Sequence, residues 1–146
     1  MTGKHVMTPT RAAAVQQYQS LDTHSNIENA SPHRLIQLMM ERALTKIGLA
    51  RGHMLREEVQ LKGSNISDAI NIIEGLQASL NHKADAKMSE NFDALYGYMM
   101  RRLLEANLHD DAGILDEVAG LLAELKEAWD AIADQAHVAE AEVLPV

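Results

Sequence analysis

Ser31-Pro32-His33-Arg34-Leu35-Ile36-Gln37-Leu38-Met39-Met40-Glu41-Arg42-Ala43-Leu44-Thr45-Lys46-Ile47-Gly48-Leu49-Ala50-Arg51-Gly52-His53-Met54 decides the fold class of this chain. Serine before proline marks a helix start. The hydroxyl caps free N–H groups of the first turn, and proline lacks only an N–H that would have no partner there. Ile36, Met40, Ala43, Ile47, Ala50 and Met54 then recur at spacings of 4, 3, 4, 3 and 4, a heptad-like core stripe. A second apolar strip, Leu35, Leu38, Met39 and Leu49, runs beside it. A helix apolar over more than one face is either central in a bundle or offers part of its surface to something else. The spacing predicts a helix from Pro32 to about Leu61.

The same periodicity extends in both directions. Lys62-Gly63-Ser64-Asn65 reads as a turn. Ile66 to Leu80 forms a helix with Ile66, Ala69, Ile70, Ile73, Leu76 and Leu80 on one side. After a polar connection at 81–86, Ser89 is a candidate cap for a helix to Leu108, with Phe92, Leu95, Tyr96, Met99, Leu103 and Leu104 on its face. Asp110 or Asp111 caps a last helix carrying Ile114, Leu115, Val118, Leu121, Leu122, Leu125, Trp129 and Ile132, which is expected to fray after about Ala136. Upstream, Thr8-Pro9 opens a short helix to Leu21 with one narrow face of Ala14, Val15, Tyr18 and Leu21. A polar leash, Asp22 to Ala30, separates it from the rest.

Composition supports this reading. The chain has 146 residues, about one domain, with 47% apolar and only 3% aromatic residues. Helix formers dominate and no strand pattern appears. Short connections favour antiparallel neighbours. The expected fold is all-α, an antiparallel four-helix bundle with a short additional N-terminal helix. The absence of cysteine excludes disulfides, thiolate zinc sites and thiol nucleophiles. Net charge is −8, and residues 103–146 hold eleven acids against one base, Lys126. An acidic chain repels phosphate backbones, so nucleic acid is not expected as a partner. No apolar run reaches the ~18 residues of a membrane helix, so no membrane insertion is expected. The first residues lack the apolar core of a secretory signal, which leaves the cytoplasm as the default compartment.

Chemistry is sparse. A di-iron bundle needs Glu-x-x-His on two helices, and none of the seven histidines has a glutamate three residues before it. His33, His82 and His109 fall at helix ends or in loops and read as solvated. No zincin, nucleophile-elbow or phosphate-loop pattern is present. No catalytic residue, metal ligand or cofactor site is assigned, and no enzymatic activity is expected. A ferritin-like metal-binding bundle and a structural bundle that forms homodimers remain the alternatives. Methionines suit surfaces that must adapt to a partner. Met39 and Met40, like Met99 and Met100, project about 100° apart, so one of each pair is expected outside the core.

Ala30–Leu44 resembles the opening of the second helix of the FliS family, flagellin-specific export chaperones of bacteria. Asn91–Asn107, with Asn91-Phe92-Asp93-Ala94-Leu95-Tyr96 and Met99-Met100-Arg101-Arg102-Leu103-Leu104, resembles that family's fourth helix. Glu124–Trp129 is similar to its closing helix, and Val15-Gln16-Gln17-Tyr18 to its N-terminal apolar-x-x-Tyr element. The likeness spans about residues 11–133. It departs at Met40, where the family often has Tyr, at Arg42, where it has a small residue, and at Lys83–Lys87, where it is glycine-rich. The resemblance implies a non-enzymatic cytoplasmic chaperone. It would bind the disordered C-terminal segment of flagellin, prevent premature polymerisation and deliver it to an export gate component of the flagellar type III apparatus. It also implies that Val15 and Tyr18 belong to a regulatory segment and that Leu35, Leu38, Met39, Tyr96 and Met99 line the groove. The expected division is a mobile N-terminal segment at 1–30, the bundle at 31–136 and a frayed acidic tail at 137–146.

Overall fold

A computed structural model describes residues 30–81 and 86–143, with side chains as far as Ile132. Its four helices are α1 (Pro32–Leu55), α2 (Val59–Ala78), α3 (Ala86–His109) and α4 (Ala112–Val143). The fold class is all-α, as expected. The short N-terminal helix lies outside the described residues.

α1 starts where the serine-proline pair places it. Ser31 Oγ accepts from the Arg34 amide at 3.1 Å, with Pro32 in the first turn. The other boundaries correct the sequence reading. α1 stops at Leu55, and the turn is Arg56-Glu57-Glu58, with Glu57 in the left-handed region at φ 60°. The expected turn at Lys62–Asn65 lies inside α2 instead. Glycine, serine and asparagine punctuate a chain only where the backbone uses their freedom. Here the Ser64 hydroxyl and the Asn65 amide fold back onto the Leu61 carbonyl, at 3.2 and 2.8 Å, within an unbroken helix. Ser89 is not a cap either. It sits one turn inside α3 and donates to the Asn81 carbonyl at 3.0 Å. Asp111 does cap α4, accepting from the Ile114 amide at 3.3 Å, while Asp110 takes φ 51° in the turn before it.

Pairings between helices fix their neighbours. The start of α1 meets late α4, with Gln37 donating to Asp130 at 2.7 Å, while Arg51 near its end meets early α4 at Asp116, 2.7 Å. Partners therefore run in opposite senses along the two helices. The same holds for α2 and α3. Lys62 donates to the Asn107 carbonyl at 3.1 Å and Gln77 to the Asp93 carbonyl at 3.2 Å. α1 packs on α2 and α4, and α3 completes the ring between α2 and α4.

The core follows the predicted stripes at Ile47, Ala50 and Met54 of α1, Ile66, Ile73 and Leu76 of α2, Leu103 of α3, and Leu115, Val118, Leu122 and Leu125 of α4, but Leu104, expected on the α3 core face, is exposed, and Ile72, outside the expected α2 stripe, is buried. Another expectation fails. Met39 and Met40 are both fully buried in this core. They do project apart, but α1 has covering neighbours on both sides, so each methionine finds its own wall. Met100 of the second pair is half-buried against the same core, beside the fully buried Met99.

His33 corrects the reading of a solvated loop histidine. Its ring stacks on Trp129 at 4.1 Å and 8° between planes. His33 Nε2 donates to the Trp129 carbonyl at 2.9 Å, and the indole N–H donates back to the His33 carbonyl at 3.1 Å. This reciprocal pair fastens the start of α1 to α4. Trp129→Ser is expected to lower unfolding free energy by about 1–2 kcal/mol, roughly half the cost of truncating a fully buried aromatic. Chemical denaturation checks this, and an unchanged midpoint would remove Trp129 from the packing.

Candidate partner-binding site

The two N-terminal site residues expected from sequence, Val15 and Tyr18, lie outside the described residues. The other five are placed. Leu35, Met39, Tyr96 and Met99 are buried, and Leu38 is half-buried. Met39, Tyr96 and Met99 come together in the common core rather than on a surface. Burial pushes the Tyr96 phenol far above its ordinary pKa, and its hydroxyl has no hydrogen-bond partner among the described residues. Its ring packs beside Phe92, with centroids 6.3 Å apart. The apolar strip beside the α1 seam is therefore covered at Leu35 and Met39 and opens outward to Leu49, which is exposed.

Large apolar side chains still reach solvent elsewhere. Leu55 and Val59 flank the α1–α2 turn, and Leu61 follows on α2. On α3, Leu104 and Leu108 are 58% and 76% exposed. Four residues apart, they share one helix face. Isolated surface leucines need no explanation, but a shared apolar face marks an interaction surface.

Polar groups fix the frame around these surfaces. Lys62 is the notable case, a buried cation inside α2. It donates to the Asn107 carbonyl, one of the unpaired carbonyls at the end of α3, and forms a short ion pair with Asp110. Met54, Glu57, Glu58, Val59, Lys62 and Asp110 line a cleft of ≈ 170 Å³ at this pole. Between α3 and α4, Glu117 accepts from the Tyr98 hydroxyl at 2.5 Å and from Arg102 Nε at 2.8 Å. Those two donors hold its carboxyl below the ordinary range, and the hydrogen bond to Glu117 holds the Tyr98 phenol above its own. At the other pole, hydrogen bonds from Lys126 and Gln37 lower the Asp130 carboxyl. The Glu117 and Asp130 clusters bridge helices. Among the described residues no three His, Asp or Glu side chains gather as metal ligands, and no helix is long and apolar enough to cross a membrane.

Sequence reasoning missed the Lys62 anchor and the His33–Trp129 couple. Their partners lie 45, 48 and 96 residues away, and no local pattern announces them.

What this arrangement offers is apolar helical surface on a scaffold of cross-linked helices, which is the equipment of a protein-binding module. Known proteins agree. Residues 14–136 match the family model described as flagellar protein FliS. The flagellar secretion chaperone FliSB of Pseudomonas aeruginosa is 44% identical over 119 residues, covering 82% of this chain and 94% of that protein. The flagellar secretion chaperone FliS of Salmonella typhimurium is 38% identical over 130 residues, 88% and 96% of the two chains. That of Bacillus subtilis is 31% identical over 116 residues, 80% and 86%. With residues 14–136 inside the family match and these identities along most of its length, the chain belongs to the FliS family of flagellar secretion chaperones.

Proposed function

We propose that this chain is a non-enzymatic cytoplasmic chaperone for flagellin. It binds the disordered C-terminal region of the newly made subunit, keeps it from polymerising and delivers it to the flagellar type III export apparatus. The observation that carries this reading is the family match over residues 14–136. The exposed leucines of the bundle support it physically. A filament-building tail forms amphipathic helices, and such a helix lays its apolar face into an apolar groove. Ordering a disordered tail costs several kcal/mol of the gross contact energy, so the complex holds its cargo and still releases it.

Of the groove candidates, Leu38 has side-chain surface for direct contact with the tail. Leu35, Met39, Tyr96 and Met99 act beneath it, holding the helices that shape the groove. Val15 and Tyr18 cover part of the surface and are displaced when cargo binds. Isothermal titration against the C-terminal segment of the same organism's flagellin tests the proposal, with one tail bound per chain expected. Absence of heat, together with no complex on gel filtration, would refute it. Tyr18→Ala is expected to change tail affinity severalfold while leaving the melting temperature nearly unchanged, because a leashed segment contributes little to the core. Equal loss of both would make Tyr18 structural.

A further inference from the structure

The cleft at the α1–α2 turn holds one carboxylate more than the bundle uses. Met54 and Val59 form its apolar wall, and Glu57, Glu58, Lys62 and Asp110 line the rest. Its charges pair off. Lys62 engages Asp110, while Arg56 and His53 both engage Glu58, at 2.9 and 2.7 Å. The Glu57 carboxylate has no partner among the described residues. Glu57 also holds the left-handed backbone, φ 60°, which glycine or asparagine adopts with less crowding. Neither the backbone nor a neighbour in the bundle selects a glutamate there. At ≈ 170 Å³ the cleft is larger than the ~150 Å³ cavity that takes up benzene, so it has room for one long side chain. A lone carboxylate beside an apolar wall fits a cation on an apolar stem.

The chain carries such a cation outside the described residues. Residues 1–21 hold Lys4 and Arg11 and no acid, and Val6 and Met7 follow Lys4 closely. The other end, 133–146, holds Asp134, Glu140 and Glu142 with no lysine or arginine, so the same carboxylates repel it. Length selects Lys4. The described chain begins at Ala30, at the opposite pole, and α1 from Pro32 to Met54 is about 33 Å long. The helix that the spacing predicts over Pro9–Leu21, laid back along α1, covers about 18 Å of this. The extended stretch from Pro9 back to Lys4 spans about 16 Å more, and residues 22–30 make the reversal. Arg11, inside that helix, stops short of the cleft. The outer face of α1 leaves a path, with Leu49 exposed, Leu38 half-buried and open space over Gly48.

We propose that the cleft is the docking site of this chain's own residues 4–7, with the Lys4 ammonium paired to Glu57 and Val6 packed on Val59. The contact latches the leading segment lengthwise across the bundle, far from where that segment joins α1. Residues 4–7 precede the family match, which begins at residue 14, and the contact stands whether or not flagellin is the cargo.

The lack of native cysteine makes a clean test possible. Val6→Cys is combined in the full chain with Val59→Cys at the cleft, or with Ala123→Cys on the exposed face of α4 as control. Under mild oxidation the 6–59 pair is expected to close an intramolecular disulfide at least about tenfold faster than the 6–123 pair, because docking raises the local concentration of one thiol at the other. Lys4→Glu is expected to bring the 6–59 rate down to that of the control, and Glu57→Lys added to Lys4→Glu to restore it. Glu57→Gly, which suits the left-handed backbone, is expected to lose the cross-link while keeping the melting temperature, so that loss of the latch is not loss of the fold. Equal rates for the two pairs would overturn the latch, as would a 6–59 rate unchanged by Lys4→Glu. Disulfides formed only between chains would also overturn it, by assigning the cleft to a second copy.

Discussion

Met99→Ala is expected to melt about 10 °C below the unmodified chain, a loss of about 3 kcal/mol. Met99 has no exposed surface and sits in the core contributed by all four helices. Truncation removes the transfer energy of the thioether and leaves a cavity that neighbouring helices only partly close, because Lys62, Gln77 and the Glu117 pair hold them in place. Tail affinity is expected to fall with stability, through loss of the folded scaffold. Thermal denaturation alongside titration checks both. If Met99→Ala kept its melting temperature and lost tail binding, Met99 would belong to the groove surface. The contrast with Tyr18→Ala, where tail affinity is expected to change and stability is not, separates residues that build the scaffold from residues that tune cargo binding.

Asp110→Asn is expected to cost about 1–2 kcal/mol, below the ~3–5 kcal/mol of breaking a fully buried pair because the carboxylate is largely exposed. Asn keeps the size of Asp and tolerates the left-handed backbone at φ 51°, so the substitution isolates the charge. It leaves Lys62 buried with only the Asn107 carbonyl as a strong acceptor. An ammonium out of water without its carboxylate carries its desolvation uncompensated. The double variant Lys62→Met with Asp110→Asn is expected to recover most of the loss, since an apolar side chain of similar length fills the site without a charge. Denaturant midpoints of the three variants form the check. Equal stability of Asp110→Asn and the unmodified chain would mean that the pair contributes nothing to joining the α1–α2 and α3–α4 turns.

Periodicity reveals most of the bundle before any coordinates. The stripe through Met40, Ile47 and Met54, and that through Leu115, Leu122 and Leu125, are apolar every third or fourth residue, and this pattern has one stable use in water. The Ser31–Pro32 start is equally local, because cap and proline act within a single turn. The α1–α2 turn is not local in this sense. Lys62-Gly63-Ser64-Asn65 has turn chemistry, yet the turn forms at Arg56–Glu58, because Lys62 reaches α3 only if that segment is helical. The groove candidates follow the same logic. Leu35 and Met39 look like surplus apolar surface on an isolated helix, and only the helix beside them shows that they are covered.

Helix content, the identity of the core stripes, the lack of catalytic chemistry in the motifs and the family likeness were written in the order of residues, since each depends on neighbours within a turn or two of chain. Which methionines are sealed in, where the first hairpin bends, what Lys62 and His33 hold, and which leucines remain in water were decided by tertiary packing. Those outcomes depend on contacts between residues tens of positions apart, and burial is a property of the neighbour that arrives rather than of the side chain that waits.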